Sequence, residues 1–254
     1  MISDIYENFA FIYDSFMKDI NYNDWIFYIE KIWKKENFSP KTILDLGCGT
    51  GNISERFALK NYEVIGIDFS EDMLAIARDK SYEKNLDILY LCQNMIEFEL
   101  YGTVDCILSL CDSLNYVVDE NDLFKVFKLV NNYLNPGGLF IFDMNTRHKF
   151  KNIYSNNTYS EVDENSAYIW ENFYFEDYDI NEYHINFFIK NNNNTYDRFE
   201  EFHYERAYDI EIIKKLIIES GMEFLSVYDA YTFNLPNENS ERLFFVVREN
   251  MKKL

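Results

Sequence analysis

Three glycines at alternate positions, Gly47, Gly49 and Gly51, follow the apolar residues Ile43, Leu44 and Leu46, and Asp45 lies inside that run. Glycine accepts positive φ and leaves no Cβ between main chain and ligand, so such a loop can approach a bound molecule closely. A second apolar run, Val64, Ile65 and Ile67, ends in Asp68. That carboxylate stands about 20 residues past the first glycine, where it can bond both hydroxyls of a ribose. The implied chemistry is nucleoside binding, and the loop narrows the ligand further. A diphosphate on a helix N-terminus calls for G-x-G-x-x-G. Here the spacing is G-x-G-x-G, and Asp45 is poorly placed beside a diphosphate but useful near a cationic amine. A zwitterionic, phosphate-free ligand is expected.

The elements that must carry these residues are a strand, a glycine turn and a helix, the front half of a βαβ unit. Ile53, Phe57 and Ala58 recur at helical spacing after the turn. Beyond Asp68, Ser70 is placed to cap a helix whose first turn carries Glu71 and Asp72.

The pair DLGCGTG and GIDFSEDML resembles the first two motifs of the class I S-adenosylmethionine (SAM)-dependent methyltransferases, and the resemblance spans roughly residues 40 to 145. It implies an α/β fold: a Rossmann-like, seven-stranded, mostly parallel sheet flanked by helices, with an amino-terminal helical lid and an inserted antiparallel β subdomain. SAM is the implied cofactor. By the same resemblance Asp45 orients the amine, the main chain of Gly47, Cys48 and Gly49 lies along the methionyl part, and Asp68 binds the ribose. Asn94 and Met95 hold the adenine, Asn94 replacing the more frequent aspartate, and Phe69, Met73 and Leu110 complete the contacts. The segment Tyr6, Phe9, Ala10, Tyr13, Asp14 resembles the lid helices of small-molecule methyltransferases, which implies that Tyr13 and Tyr22 bond the methionyl carboxylate.

Composition bounds the rest. At 254 residues the chain can bury a substantial core, and 19% of it is aromatic. A formal net charge of −20 disfavours a phosphate backbone, so no nucleic acid partner is expected. No apolar run approaches about 20 residues, so no membrane partner is expected and the setting reads as soluble and cytoplasmic. Cys48, Cys92, Cys106 and Cys111 form no C-x-x-C pair. Cys48, Cys92 and Cys106 read as small buried hydrophobes, and no metal site is expected.

Residues 1–40 read as helical, with Ile5, Phe9, Ile12 and Phe16 and then Trp25, Tyr28, Ile29, Ile32 and Trp33 at helical spacing. The core is expected over 41–146 and 207–254, with a third strand at Leu86–Leu91, a fourth at Val104–Leu110, a turn at Asn135–Gly138 and a fifth strand at Leu139–Phe142. The loop after the fourth strand should face the ligand, because open α/β sheets bind at the carboxyl ends of their strands. Family members that methylate planar amide or adenine nitrogens often carry N/D-P-P-Y there; this chain reads SLCDSLNY. Asp112 in that loop reads equally as a helix cap or as a pocket acid.

Residues 147–206 depart from a minimal fold. Tyr183, Ile185, Phe187 and Ile189 alternate with polar neighbours, and breaks at Asp177–Asn181 and Asn191–Asn194 suggest about three antiparallel strands lying over the site. Sugar-amine N-methyltransferases, which this arrangement resembles, use such an insert for substrate contacts and oligomerisation, so a homodimer through it is implied. On its last strand His203 shares a face with Glu201. A lone histidine in a sheet is commonly structural, yet this one has a carboxylate neighbour, which makes it the first candidate base, with Asp112 the second. The expected activity is methyl transfer to a nitrogen or oxygen of a small-molecule acceptor. A non-catalytic SAM-binding regulator and a nicotinamide-dependent oxidoreductase are the alternatives.

Overall fold

The computed structural model describes residues 13, 14, 17, 20–191, 193–250 and 252. Ile5, Tyr6, Phe9, Ala10, Ile12 and Phe16 of the expected amino-terminal helix lie outside the described residues.

The first complete helix, α1 (Tyr22–Lys35), buries Trp25, Ile26, Tyr28, Ile29, Ile32 and Trp33 against one face of the main sheet. The sheet alternates with helices as the sequence pattern requires: β1 (Thr42–Leu46), α2 (Asn52–Leu59), β2 (Glu63–Asp68), α3 (Glu71–Glu83), β3 (Ile88–Cys92), β4 (Val104–Ser109), α4 (Glu120–Tyr133) and β5 (Leu134–Asn145). After an excursion, α5 (Ile210–Glu219), β10 (Met222–Asp229) and β11 (Arg242–Glu249) complete it. Strand order is β10-β11-β5-β4-β1-β2-β3. The pairings β1 to β5 are parallel, while β11 runs antiparallel to both β5 and β10. The order reverses direction at β1 and β4, so the crevice beyond their carboxyl ends is the expected ligand site.

Several local signals act as anticipated. The Ser70 hydroxyl caps α3, accepting from the Met73 amide at 3.3 Å. Others are redirected by pairing. The residues Asn135–Gly138 do turn, with Gly137 at φ 73°. They do so inside β5, however, because Val104 pairs with Leu134 and Cys106 with Leu139, so the intervening residues bulge out of one continuous strand. Cys48 and Cys106 are buried, whereas Cys92 is exposed at the end of the edge strand β3, where no further strand covers it.

Between β5 and α5 a second sheet is formed by β6 (Thr158–Val162), β7 (Ser166–Phe175), β8 (Ile180–Lys190) and β9 (Tyr196–Arg206), antiparallel in that order. It has four strands where the sequence suggested about three. The additional one, β6, is a short edge strand of alternating polar residues with little apolar signal of its own. One face packs on a small cluster of Phe150, Tyr183 and Ala207 with Tyr154, Trp170 and Ile185. Among the described residues no helix is long and apolar enough to cross a membrane, and no group of side chains is disposed to hold a metal ion.

Candidate functional site

A cavity of about 540 Å³ opens beyond the carboxyl ends of β1, β2 and β4. Its volume falls in the usual range of small-molecule sites, about 300–1,000 Å³. Gly47 and Gly49 both have positive φ, 80° and 53°. A Cβ on Gly47 would lie 2.8 Å from Ser113, so only glycine lets the β1 turn nest against the β4 loop. A Cβ on Gly49 would meet nothing within 4 Å, so its main chain borders open space. The Gly49 amide donates to Asp68 Oδ2 at 2.7 Å and the Ser70 amide to Asp68 Oδ1 at 2.9 Å, which fixes the carboxylate at the end of β2. Burial raises the Asp68 pKa, partly offset by those two donors.

Asp45, 2% exposed, accepts from the Ser54 hydroxyl at 2.6 Å. Burial pushes its pKa up to about 7, Ser54 opposing and Asp68 reinforcing the shift. The Tyr22 hydroxyl is buried at the cavity wall near Tyr13 and Asn52, and its pKa is raised by burial. Tyr13 lines the same wall and is raised for the same reason. On the opposite side the Asn94 Oδ1 accepts from the Ile96 amide at 3.1 Å, an Asx turn that leaves its amide group available. Met95 approaches Gly47, its Cε 3.3 Å from where a Cβ would stand.

Tyr13, Tyr22, Asp45, Gly47, Cys48 and Gly49 therefore line one cavity together with Asp68, Phe69, Met73, Asn94, Met95 and Leu110. The remaining two candidates, Asp112 and His203, do not line it. Among the described lining residues the charged side chains are all carboxylates: Asp45, Asp68, Asp119 and Asp122. Such a wall favours a cation.

Asp112 does not cap the turn that follows it. Arg242 Nη2 donates to its Oδ1 at 2.9 Å and Asn145 Nδ2 to its Oδ2 at 2.6 Å. Burial works against ionisation, but Arg242 and Lys149 outweigh it and hold the Asp112 carboxyl below its usual range. The second oxygen-rich partner of Arg242 is the fully buried Asp143, whose carboxyl burial pushes up to about 6 despite that guanidinium. These bonds hold an unfavourable backbone: Cys111 and Asp112 have φ of 60° and 57°. Non-glycine residues adopt that region at a cost and persist there when surroundings fix them.

His203 is sealed in the second sheet, its Nε2 2.9 Å from Glu201 Oε2, with side chains 2% and 3% exposed. Tyr116, a lining residue, stands edge-on to its imidazole at 5.9 Å. Alternation along β9 places Glu201 and His203 on one face, but the face is the inward one, which period two alone does not specify.

Other contacts could not be read from local spacing. Asp14 accepts from the Thr50 hydroxyl at 2.7 Å and the Asn52 amide at 2.8 Å and pairs with Lys80 at 2.8 Å, tying the amino-terminal segment to the glycine loop. Arg242, nearly a hundred positions from Asp143, carried no mark of a site in its own neighbourhood.

A family profile described as a methyltransferase domain matches residues 43–138. A protein of Geobacillus sp. (strain WCH70) named as a methyltransferase is 34% identical over 245 residues, covering 96% of this chain and 99% of that one. The crystal structure of an S-adenosylmethionine-dependent methyltransferase from Clostridium acetobutylicum ATCC 824 matches with a TM-score of 0.86 at 33% identity, covering 96% of this chain and 99% of that one. A sugar N-methyltransferase from Streptoalloteichus sp. ATCC 53650 shares the fold, with a TM-score of 0.77 at 16% identity over 94% of this chain and 92% of that one.

Proposed function

The chain belongs to the SAM-dependent methyltransferases, and on that footing we propose that it transfers the methyl group to a nitrogen or oxygen of a small-molecule acceptor held between the β4 loop and the antiparallel insert. The observation that carries the reading is that all the expected cofactor residues line one cavity, whose charged side chains among the described residues are carboxylates. Two features support the fit of the cofactor. The Tyr22 hydroxyl at the cavity wall offers a donor for a carboxylate, and the open space at Gly49 admits a ligand against the main chain. When bound, SAM supplies a methyl group already activated by its sulfonium.

The chain's own residues then supply position. Asp68 accepts from the ribose hydroxyls, Asp45 faces the amine, Tyr13 and Tyr22 meet the carboxylate, and Asn94 donates toward the adenine beside Met95. Alignment alone can account for about 7–11 kcal/mol of a transfer barrier, so a dedicated base is not demanded. Neither Asp112 nor His203 is assigned that role, since neither lines the cavity. The same proposal divides the chain into a lid over 1–40, a SAM-binding core over 41–146 and 207–254, and an insert over 147–206. Screening labelled methyl transfer from SAM into a metabolite extract tests it, with a labelled small molecule as the expected product. Label in nucleic acid only, or in nothing, would refute the acceptor class.

Asp45 gives the cofactor affinity a pH dependence. With its carboxyl raised to about 7, it is mostly protonated in mildly acidic solution and ionised above neutrality. A cationic amine favours the ionised form, so SAM affinity should rise from pH 5.5 to 7.5 and then level off. Calorimetry across that range should show the rise in the native protein and not in Asp45→Asn. A parallel rise in the variant would locate the dependence elsewhere.

A further inference from the structure

Tyr116, Val117 and Val118 form the part of the cavity wall next to the insert. Their placement is set largely from outside the β4 loop. Asn115, fully buried, donates to the carbonyls of Asn145 at 3.2 Å and Arg206 at 2.8 Å and accepts from the Asn145 amide at 2.9 Å. Arg206 Nη1 donates to the Val118 carbonyl at 2.9 Å, and the Tyr208 hydroxyl to the Val117 carbonyl at 2.5 Å. Tyr116 itself is 41% exposed, and its ring stands at 87° to that of His203. A carboxylate bonded to one ring nitrogen fixes the orientation of an imidazole, and removal from water makes the restraint stronger.

We infer that the buried Glu201–His203 pair is a positioning device for methyl transfer, holding the Tyr116 ring at the acceptor end of the cavity, and that Tyr116 determines which acceptors are taken. This rests on the methyl-transfer reading above. Tyr116, Val117 and Val118 give the acceptor an apolar and π-bearing wall, and Asp119, which caps α4, and Asp122, paired with Lys125 at 2.7 Å, continue it with carboxylate oxygens. The combination selects a compact amine carrying an apolar or ring portion. His203 touches neither cofactor nor acceptor and acts through Tyr116.

The test is a double-mutant cycle in the full-length protein, read as the initial rate of label transfer from SAM into the metabolite extract, with SAM affinity measured alongside. Tyr116→Ala should lower transfer at least 30-fold and His203→Ala about tenfold, each with the SAM Kd within threefold of the native value. The double variant should transfer no more slowly than Tyr116→Ala. His203→Gln should keep the shape of the pH–rate profile, because no base has been removed. It replaces His203→Ala in the cycle if the alanine variant does not fold. Additive losses, an altered pH profile, or SAM affinity falling in step with transfer would overturn the inference while leaving the methyltransferase reading intact. Absence of transfer by the native protein would overturn both.

Discussion

Replacing Asp68 by alanine is expected to weaken SAM binding about 100-fold. Hydrogen bonds to a charged group contribute about 1.5–3 kcal/mol each, and every 1.4 kcal/mol is tenfold in affinity, so loss of two ribose contacts yields an effect of that order. The carboxylate is also held in place by the amides of Gly49 and Ser70, so its removal frees the glycine loop that the proposal sets along the methionyl part. Because burial raises the Asp68 pKa, its ionised form is costly in the unliganded protein. The variant should therefore lose affinity without a matching loss of folding stability. Titration calorimetry and a denaturant melt of the same preparation separate the two. Affinity within threefold of the native value would overturn the ribose assignment.

Replacing Arg242 by methionine should destabilise the fold by about 3 kcal/mol at pH 8. The guanidinium pairs with Asp112 and with the fully buried Asp143, so its loss strands carboxylates away from water. The cost should shrink in acid. Asp143 has its pKa raised to about 6 even with Arg242 beside it, and without the cation the value rises further. A carboxyl whose folded pKa exceeds its unfolded value is most tolerated below that folded pKa, where it carries a proton, and the folded state loses stability as the pH rises through it. The urea midpoint of the variant should accordingly approach the native one at pH 5.5 and fall well below it at pH 8. An equal deficit at both pH values would show that Arg242 acts by packing over Trp25, whose ring lies 5.3 Å beneath it, instead of by charge. The variant should also lose methyl transfer, because Arg242 restrains the left-handed backbone at Asp112 that begins the acceptor-side wall.

The Glu201–His203 pair shows what strand spacing can and cannot say about a side chain. Spacing along β9 puts the carboxylate beside the imidazole, as two residues on one strand face must be. Whether that face meets solvent, ligand or protein depends on what the second sheet packs against. Here it is the inward face, and the Tyr116 ring stands edge-on to the imidazole. The turn at Asn135–Gly138 makes a similar point for the backbone. Proline and two glycines disfavour a regular strand there, yet β4 pairs with Leu134 before it and Leu139 after it and carries β5 through with a bulge.

The sequence by itself determined which residues of the β1, β2 and β3 ends meet in one cavity. The glycine loop, Asp45, Asp68 and the Asn94–Met95 pair sit at the ends of strands whose order and direction follow from the βαβ repeat, so short-range pattern places them together. Only the tertiary structure decided what braces the loops around the cavity. Asp14 on Thr50 and Lys80, Arg242 on Asp112 and Asp143, and Arg206 and Tyr208 on the β4 loop join residues far apart in the chain. Such contacts leave no periodicity in the sequence, because they depend on which surfaces meet when the amino-terminal segment, β11 and the end of the insert reach the loops of the sheet.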